Sequence, residues 1–175
     1  MSAVHDIIAA ALDEAEVAYD SPGDGQFFVT LPGTHKLATH CWLVAGRHAL
    51  LVEAFVCRKP DENHEELYRF LLRRNARTYA VSFALDKEGD VFLVGRLPLS
   101  SVTAAEVDRL LGAVLTYADE SFNTILELGF ATSIRREYEW RLARGESTRN
   151  LEAFRGWLEH QQPQARRTPD EGEAS

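Results

Sequence analysis

Apolar residues recur at helical spacing from about Ala3 to Val17, where Val4, Ile7, Ile8, Ala11, Leu12 and Ala15 share one stripe. The run Ser21-Pro22-Gly23-Asp24-Gly25 breaks that helix, and the period then shortens. Gln26 to Leu31 reads as a strand ended by Pro32-Gly33, about Lys36 to Ala45 as a second, and His48 to Arg58 as a third, forming a meander. Asp61, after Pro60, is placed to cap a helix to about Arg74, whose Arg73-Arg74 end suits the negative pole of the helix dipole. Two further strands, about Thr78 to Leu85 and Val91 to Leu97, flank the polar turn Asp86-Lys87-Glu88-Gly89-Asp90.

Thr103-Ala104-Ala105-Glu106 is a capping box opening a long amphipathic helix through Val107, Leu110, Leu111, Val114 and Leu115 towards Glu127. Gly129 interrupts it, and shorter helical stretches follow at about Ile134 to Leu142 and Asn150 to Glu159. Strands grouped by hairpins, with helices between the groups, imply an α+β fold: a five-stranded antiparallel sheet with its helices on one face. The element order is helix, three strands, helix, two strands, helix, followed by a helical extension. The expected organisation is an α+β domain over residues 1–130, a helical extension over 131–160 packed on it, and a disordered Pro-, Gln- and Glu-rich tail over 161–175.

The central hairpin carries the most detail. A two-residue loop at Gly46-Arg47, with Gly46 at positive φ, sets Ala45 opposite His48, Cys41 opposite Val52 and His40 opposite Glu53. One face then holds Leu37, Thr39, Cys41, Leu43, Leu50, Val52, Ala54 and Val56, which is core. The other holds Ala38, His40, Trp42, Val44, Leu51, Glu53, Phe55 and Cys57. Trp42, Val44, Leu51 and Phe55 form an apolar patch of the kind that marks a partner surface, with His40 and Glu53 at its edge. Either the helices of 134–159 fold back over it or another chain covers it. The same His-carboxylate pair defines the alternative reading, a ligand pocket or unrecognised enzyme around His40 and Glu53.

Composition narrows the function classes. At 175 residues, 45% hydrophobic and 26% charged, the chain can build one ordinary core without metal or disulfide. A formal charge of −8 argues against nucleic acid and anionic membranes as partners. No run reaches the roughly 18 apolar residues of a membrane span, and Met1-Ser2-Ala3-Val4-His5-Asp6 lacks the basic start of a signal peptide, so the expected location is the cytoplasm. Cys41 and Cys57 point to opposite sheet faces in this register and are expected as unpaired, buried thiols. His64-Glu65-Glu66-Leu67-Tyr68 has Tyr where a zinc helix needs its second His. Gly145-Glu146-Ser147-Thr148-Arg149 is not a nucleophile elbow, and Arg135, Arg136, Arg141 and Arg144 read as a solvated basic strip. No catalytic residue, metal or cofactor is assigned.

Several longer runs carry a family resemblance: Cys41-Trp42-Leu43-Val44, Arg58-Lys59-Pro60-Asp61-Glu62-Asn63-His64, Tyr68-Arg69-Phe70-Leu71-Leu72-Arg73-Arg74-Asn75, Val94-Gly95-Arg96-Leu97, Phe122 to Phe130 and Ser133 to Glu137. In these the chain, over about residues 3 to 158, resembles actinobacterial members of the YbjN-domain family of sensory transduction regulators. The resemblance implies the fold of class I type III secretion chaperones, which typically dimerise and bind extended client segments. It supplies no catalytic motif. Together these readings lead to a non-enzymatic protein-binding adaptor, a homodimer with a protein or peptide client, docking through His40, Trp42, Val44, Leu51, Glu53 and Phe55.

Overall fold

The computed structural model describes residues 2–160. The expected tail over 161–175 lies outside the described residues. The described residues divide into two compact units, one running up to Ala131 and one starting at Thr132. In the first, helix α1 (Ala3–Glu14) precedes strands β1 (Ala18–Gly23), β2 (Gln26–Pro32), β3 (Ala38–Ala45) and β4 (Ala49–Cys57). Helix α2 (His64–Asn75), strands β5 (Val81–Leu85) and β6 (Val91–Pro98) and the long helix α3 (Ala104–Gly129) complete it.

The sheet is antiparallel with order β1-β2-β3-β4-β6-β5, so it has six strands where the sequence pattern predicts five. The missed strand, β1, is exposed along most of its length and shows no alternation, and Pro22 and Gly23 within it read locally as a breaker. It forms because Ala18, Tyr19 and Asp20 pair with Thr30, Val29 and Phe28 of β2. The turn that follows needs Gly25, which has φ +70° and no room for a β-carbon beside Ala45. His5 of α1 fastens that turn by accepting the Gly25 N–H on Nδ1 at 3.0 Å.

One sheet face is dry. Phe27, Val29, Leu43, Leu50, Val52, Ala54, Val56, Val81, Phe83, Val91 and Leu93 are buried there, and α3 crosses this face while packing against α1 and α2. Its Val107, Leu110, Leu111, Val114, Ala118 and Ile125 are buried at helical spacing. Each fully buried aliphatic or aromatic side chain contributes about 1.5–3 kcal/mol relative to exposure, so this face dominates the stability of the unit. Thr103 accepts the Glu106 N–H at 3.2 Å as the capping box predicts, while the Glu106 carboxylate takes the Tyr79 hydroxyl and the Arg109 guanidinium.

Four local expectations are corrected. The β3–β4 turn is centred on Arg47 and His48, closed by the Gly46 N–H donating to Ala49 O at 2.9 Å, and Gly46 is not at positive φ. The ladder therefore sets Trp42 opposite Glu53 and Leu43 opposite Val52. Leu37 is not in the core but in the β2–β3 loop, 92% exposed. Cys57 is not on the open face, because the pairing of β4 with β6 shifts between Phe55 and Cys57 and both Val56 and Cys57 turn inward. Asp61 does not cap α2: the helix starts at His64, and Asp61 holds the Arg58 guanidinium at 2.7 and 3.0 Å.

The second unit contains helix α4 (Ala131–Arg144), a 3₁₀ segment over Arg149–Phe154 and helix α5 (Arg155–His160). Its arginines are largely engaged within the unit. Arg141 pairs with Glu137 and donates to Ser147 O, Arg144 lies over the Trp140 ring at 4.5 Å, and Arg135 lies 5.6 Å from the Trp157 ring centroid.

Candidate functional site

The opposite face of the sheet is where the alternation delivers its remaining side chains. Cross-strand rungs place Phe28 opposite Trp42, Trp42 opposite Glu53, Glu53 opposite Val94, and Phe55 opposite Phe92. A band of Phe28, Trp42, Val44, Leu51, Phe55, Phe92 and Val94 thus runs over β2, β3, β4 and β6. Trp42, Leu51 and Phe55 are each 39% exposed, half-covered by their neighbours. The aromatic rings are ordered by one another: Phe28 to Trp42 at 4.9 Å, Phe28 stacked on His40 at 5.3 Å, and Phe55 edge-on to Phe92 at 5.4 Å. At the β1 side, Asp20, Ser21, Pro22, Phe28 and Trp42 line a shallow depression of about 440 Å³.

All six residues singled out from the sequence, His40, Trp42, Val44, Leu51, Glu53 and Phe55, occur on this face. The proposed His40–Glu53 cross-strand pair does not form. His40 sits opposite Thr30 and shares a hydrogen bond of 3.3 Å between Nδ1 and Thr30 Oγ1, while Glu53 sits between Trp42 and Val94. Among the described residues the two side chains make no hydrogen bond or ion pair with each other. Phe28, Phe92, Val94 and Arg96 belong to the same face and were missed. The alternation of β2 and β6 contains them, but only the order β2-β3-β4-β6 shows which of their two faces continues this one.

Below the band, the β2–β3 loop is built around α3. One oxygen of Asp119 accepts the backbone N–H groups of Thr34, His35 and Lys36 at 2.8–2.9 Å. Burial pushes its carboxyl pKa up, but the three donors outweigh that and hold it below the usual value. Gly33 is required there, since a β-carbon would run into the Lys36 carbonyl and the Asp119 carboxylate. The loop aims Lys36 Nζ at the rim of the face, 5.9 Å from the Phe55 ring centroid, and its burial lowers the ammonium pKa. Cys41 and Cys57 are free and buried, and burial pushes each thiol up to about 12. Neither is a nucleophile at neutral pH. Among the described residues no group of three or more His, Cys, Asp or Glu side chains could hold a metal, and no helix is long and apolar enough to cross a membrane.

The family model YbjN, described as "Putative bacterial sensory transduction regulator", matches residues 5–127. This chain belongs to the YbjN family. An uncharacterized protein of Mycobacterium tuberculosis is 53% identical over 156 residues, covering 86% of this chain and 85% of its own. One of Mycobacterium leprae is 51% identical over 150 residues, covering 86% and 82%. Among solved structures, the ExsC–ExsE complex matches with a TM-score of 0.51 at 20% identity, over 70% of this chain and 92% of that one. The Yersinia pestis type III secretion chaperone SycH, in complex with a stable fragment of YscM2, matches with a TM-score of 0.51 at 14% identity, over 66% and 96%. At these identities the likeness is one of fold: the YbjN domain here has the α+β architecture seen in those structures.

Proposed function

We propose that this YbjN-family protein is a non-enzymatic, cytoplasmic protein-binding adaptor that works as a homodimer and docks partners on the outer face of its sheet. The observation that carries the reading is the unequal treatment of the sheet's edges and its face. At one edge, Asn75 satisfies both backbone groups of Phe83 in β5, accepting its N–H at 2.7 Å and donating to its carbonyl at 3.1 Å. At the other, β1 carries Asp20, Pro22 and a register irregularity, devices that discourage strand addition. The face between them keeps its aromatic band open. A partner is therefore received by side chains and not by extension of the sheet. The solved complexes of ExsC with ExsE and of SycH with a YscM2 fragment support a protein partner by analogy of fold.

His40, Trp42, Val44, Leu51, Glu53 and Phe55 are assigned to docking, with Trp42 and Phe28 as the anchors beside the depression. The test compares proteins captured from native lysate by wild type and by a Trp42→Asp variant shown to be folded. Captured partners should be lost with the variant and should slow backbone hydrogen exchange in β3 and β4 of the wild type. Capture that is indifferent to Trp42 would defeat this assignment.

A further inference from the structure

On the outer face, two adjacent rungs of β4 and β6 form a square of side chains. Leu51 stands opposite Arg96, and Glu53 opposite Val94. The charges thus occupy one diagonal of the square and the aliphatic groups the other. Both charged residues are exposed, and neither side chain makes a hydrogen bond or ion pair among the described residues. A carboxylate amid Trp42, Leu51, Phe55 and Val94 is costly to cover with an apolar partner, because it would lose water without gaining a counter-charge. It is inexpensive to cover with a surface that brings a cation to that spot. This face carries its own: Arg96, one diagonal away.

We infer that a second copy of the chain docks on this square, paired through reciprocal Glu53–Arg96 contacts across a two-fold axis. This rests on the reading of the outer face as a protein-docking surface and names one occupant of it. An axis lying in the interface along the Leu51–Val94 diagonal places each Glu53 over the partner copy's Arg96. It also brings Leu51 and Val94 against their own equivalents, so both diagonals are satisfied by one operation. With strands about 4.8 Å apart and residues about 3.4 Å along each, the same operation crosses the strands of the two copies steeply, in the orthogonal class of sheet packing. The centre of the contact is then β4 and β6, and Trp42 and Phe28 lie to one side of it. The self-contact thus shares Leu51 and Glu53 with the docking surface, while the anchors Trp42 and Phe28 stand beside it.

The experiment is sedimentation equilibrium of the full chain over a concentration series, with circular dichroism confirming that each exposed-site variant is folded. Wild type should sediment as two chains. Glu53→Arg and Arg96→Glu, each alone, set like charges against one another and should raise the dissociation constant at least about tenfold. The combined Glu53→Arg, Arg96→Glu chain should return to within about threefold of wild type, an outcome that a merely destabilised fold cannot produce. A wild-type mass of one chain at all concentrations, single variants that still form pairs as tightly as wild type, or a swap that fails to restore pairing would each overturn the inference. Dependence of captured proteins on Trp42 is read separately, so loss of the self-pair removes the homodimer from the proposed function but leaves Trp42-dependent client docking standing, and loss of capture leaves the self-pair standing.

Discussion

The two faces of the sheet come from the same strands and the same alternation, yet they do opposite work. On the inner face the strands pack against the helical layer led by α3, and Phe27, Val29, Leu43 and Leu50 are wholly buried. On the outer face the aromatic rings pack against one another, and Trp42, Leu51 and Phe55 remain partly exposed. Apolar surface left half exposed adds less to the stability of the unit than surface wholly buried, and in the proposed function it is the docking face. A polar residue is treated differently on each side as well. Inside, the buried hydroxyls of Thr39 and Ser121 have no hydrogen-bond partner among the described residues. Outside, Glu53 and Arg96 keep their water.

This contrast can be broken in a graded series. Phe27→Ala removes a fully buried ring and should cost about 3–5 kcal/mol, read as a lowered urea midpoint. Asp119→Ala frees three loop N–H groups and should cost about 1–2 kcal/mol, a value moderated by the loop's contact with water. The Asp119 contribution is also pH-dependent. Its folded pKa lies below the ordinary 3.8, so the stabilisation is complete above that value and is lost as the pH falls through the depressed one. Wild type and Asp119→Ala should therefore differ most at neutral pH and converge in acid, measured as urea midpoints across a pH series.

Substitutions on the outer face sharpen the comparison from the other side. Trp42→Asp should change the stability of the dilute single chain by less than about 1 kcal/mol, because the ring's upper surface is already wet. A loss as large as that of Phe27→Ala would show that the band is part of the core. The smallest effect is expected at the thiols. Cys41 and Cys57 should both resist a thiol reagent at pH 8 in the native protein and both react once it is unfolded.

The candidate face was legible in the sequence for a specific reason, and so was its error. Moving the two-residue turn by one position, from Gly46-Arg47 to Arg47-His48, slides the partner strand by two residues, and a two-residue slip keeps every side chain on its face. Trp42, Leu51 and Phe55 therefore stayed together, while the His40–Glu53 pair dissolved. The turn's true position depends on a distant strand, since His48 O accepts the Leu99 N–H at the end of β6. A local reading of Gly46 cannot register that bond.

Period-two and period-3.6 patterns are properties of neighbouring residues, so the sequence alone determined the α+β class, the long helix from Thr103 and the division of β3 and β4 into a buried and an open face. Strand β1, the inward turn of Cys57 and the square of Leu51, Glu53, Val94 and Arg96 were decided only by the tertiary structure. Each depends on hydrogen bonding between strands: β2 offers its edge to Ala18–Gly23, the pairing of β4 with β6 shifts register between Phe55 and Cys57, and the β4–β6 ladder sets two opposite charges on one diagonal. Backbone pairing energy is nearly independent of side-chain identity, so no local pattern announces which strand will be the neighbour.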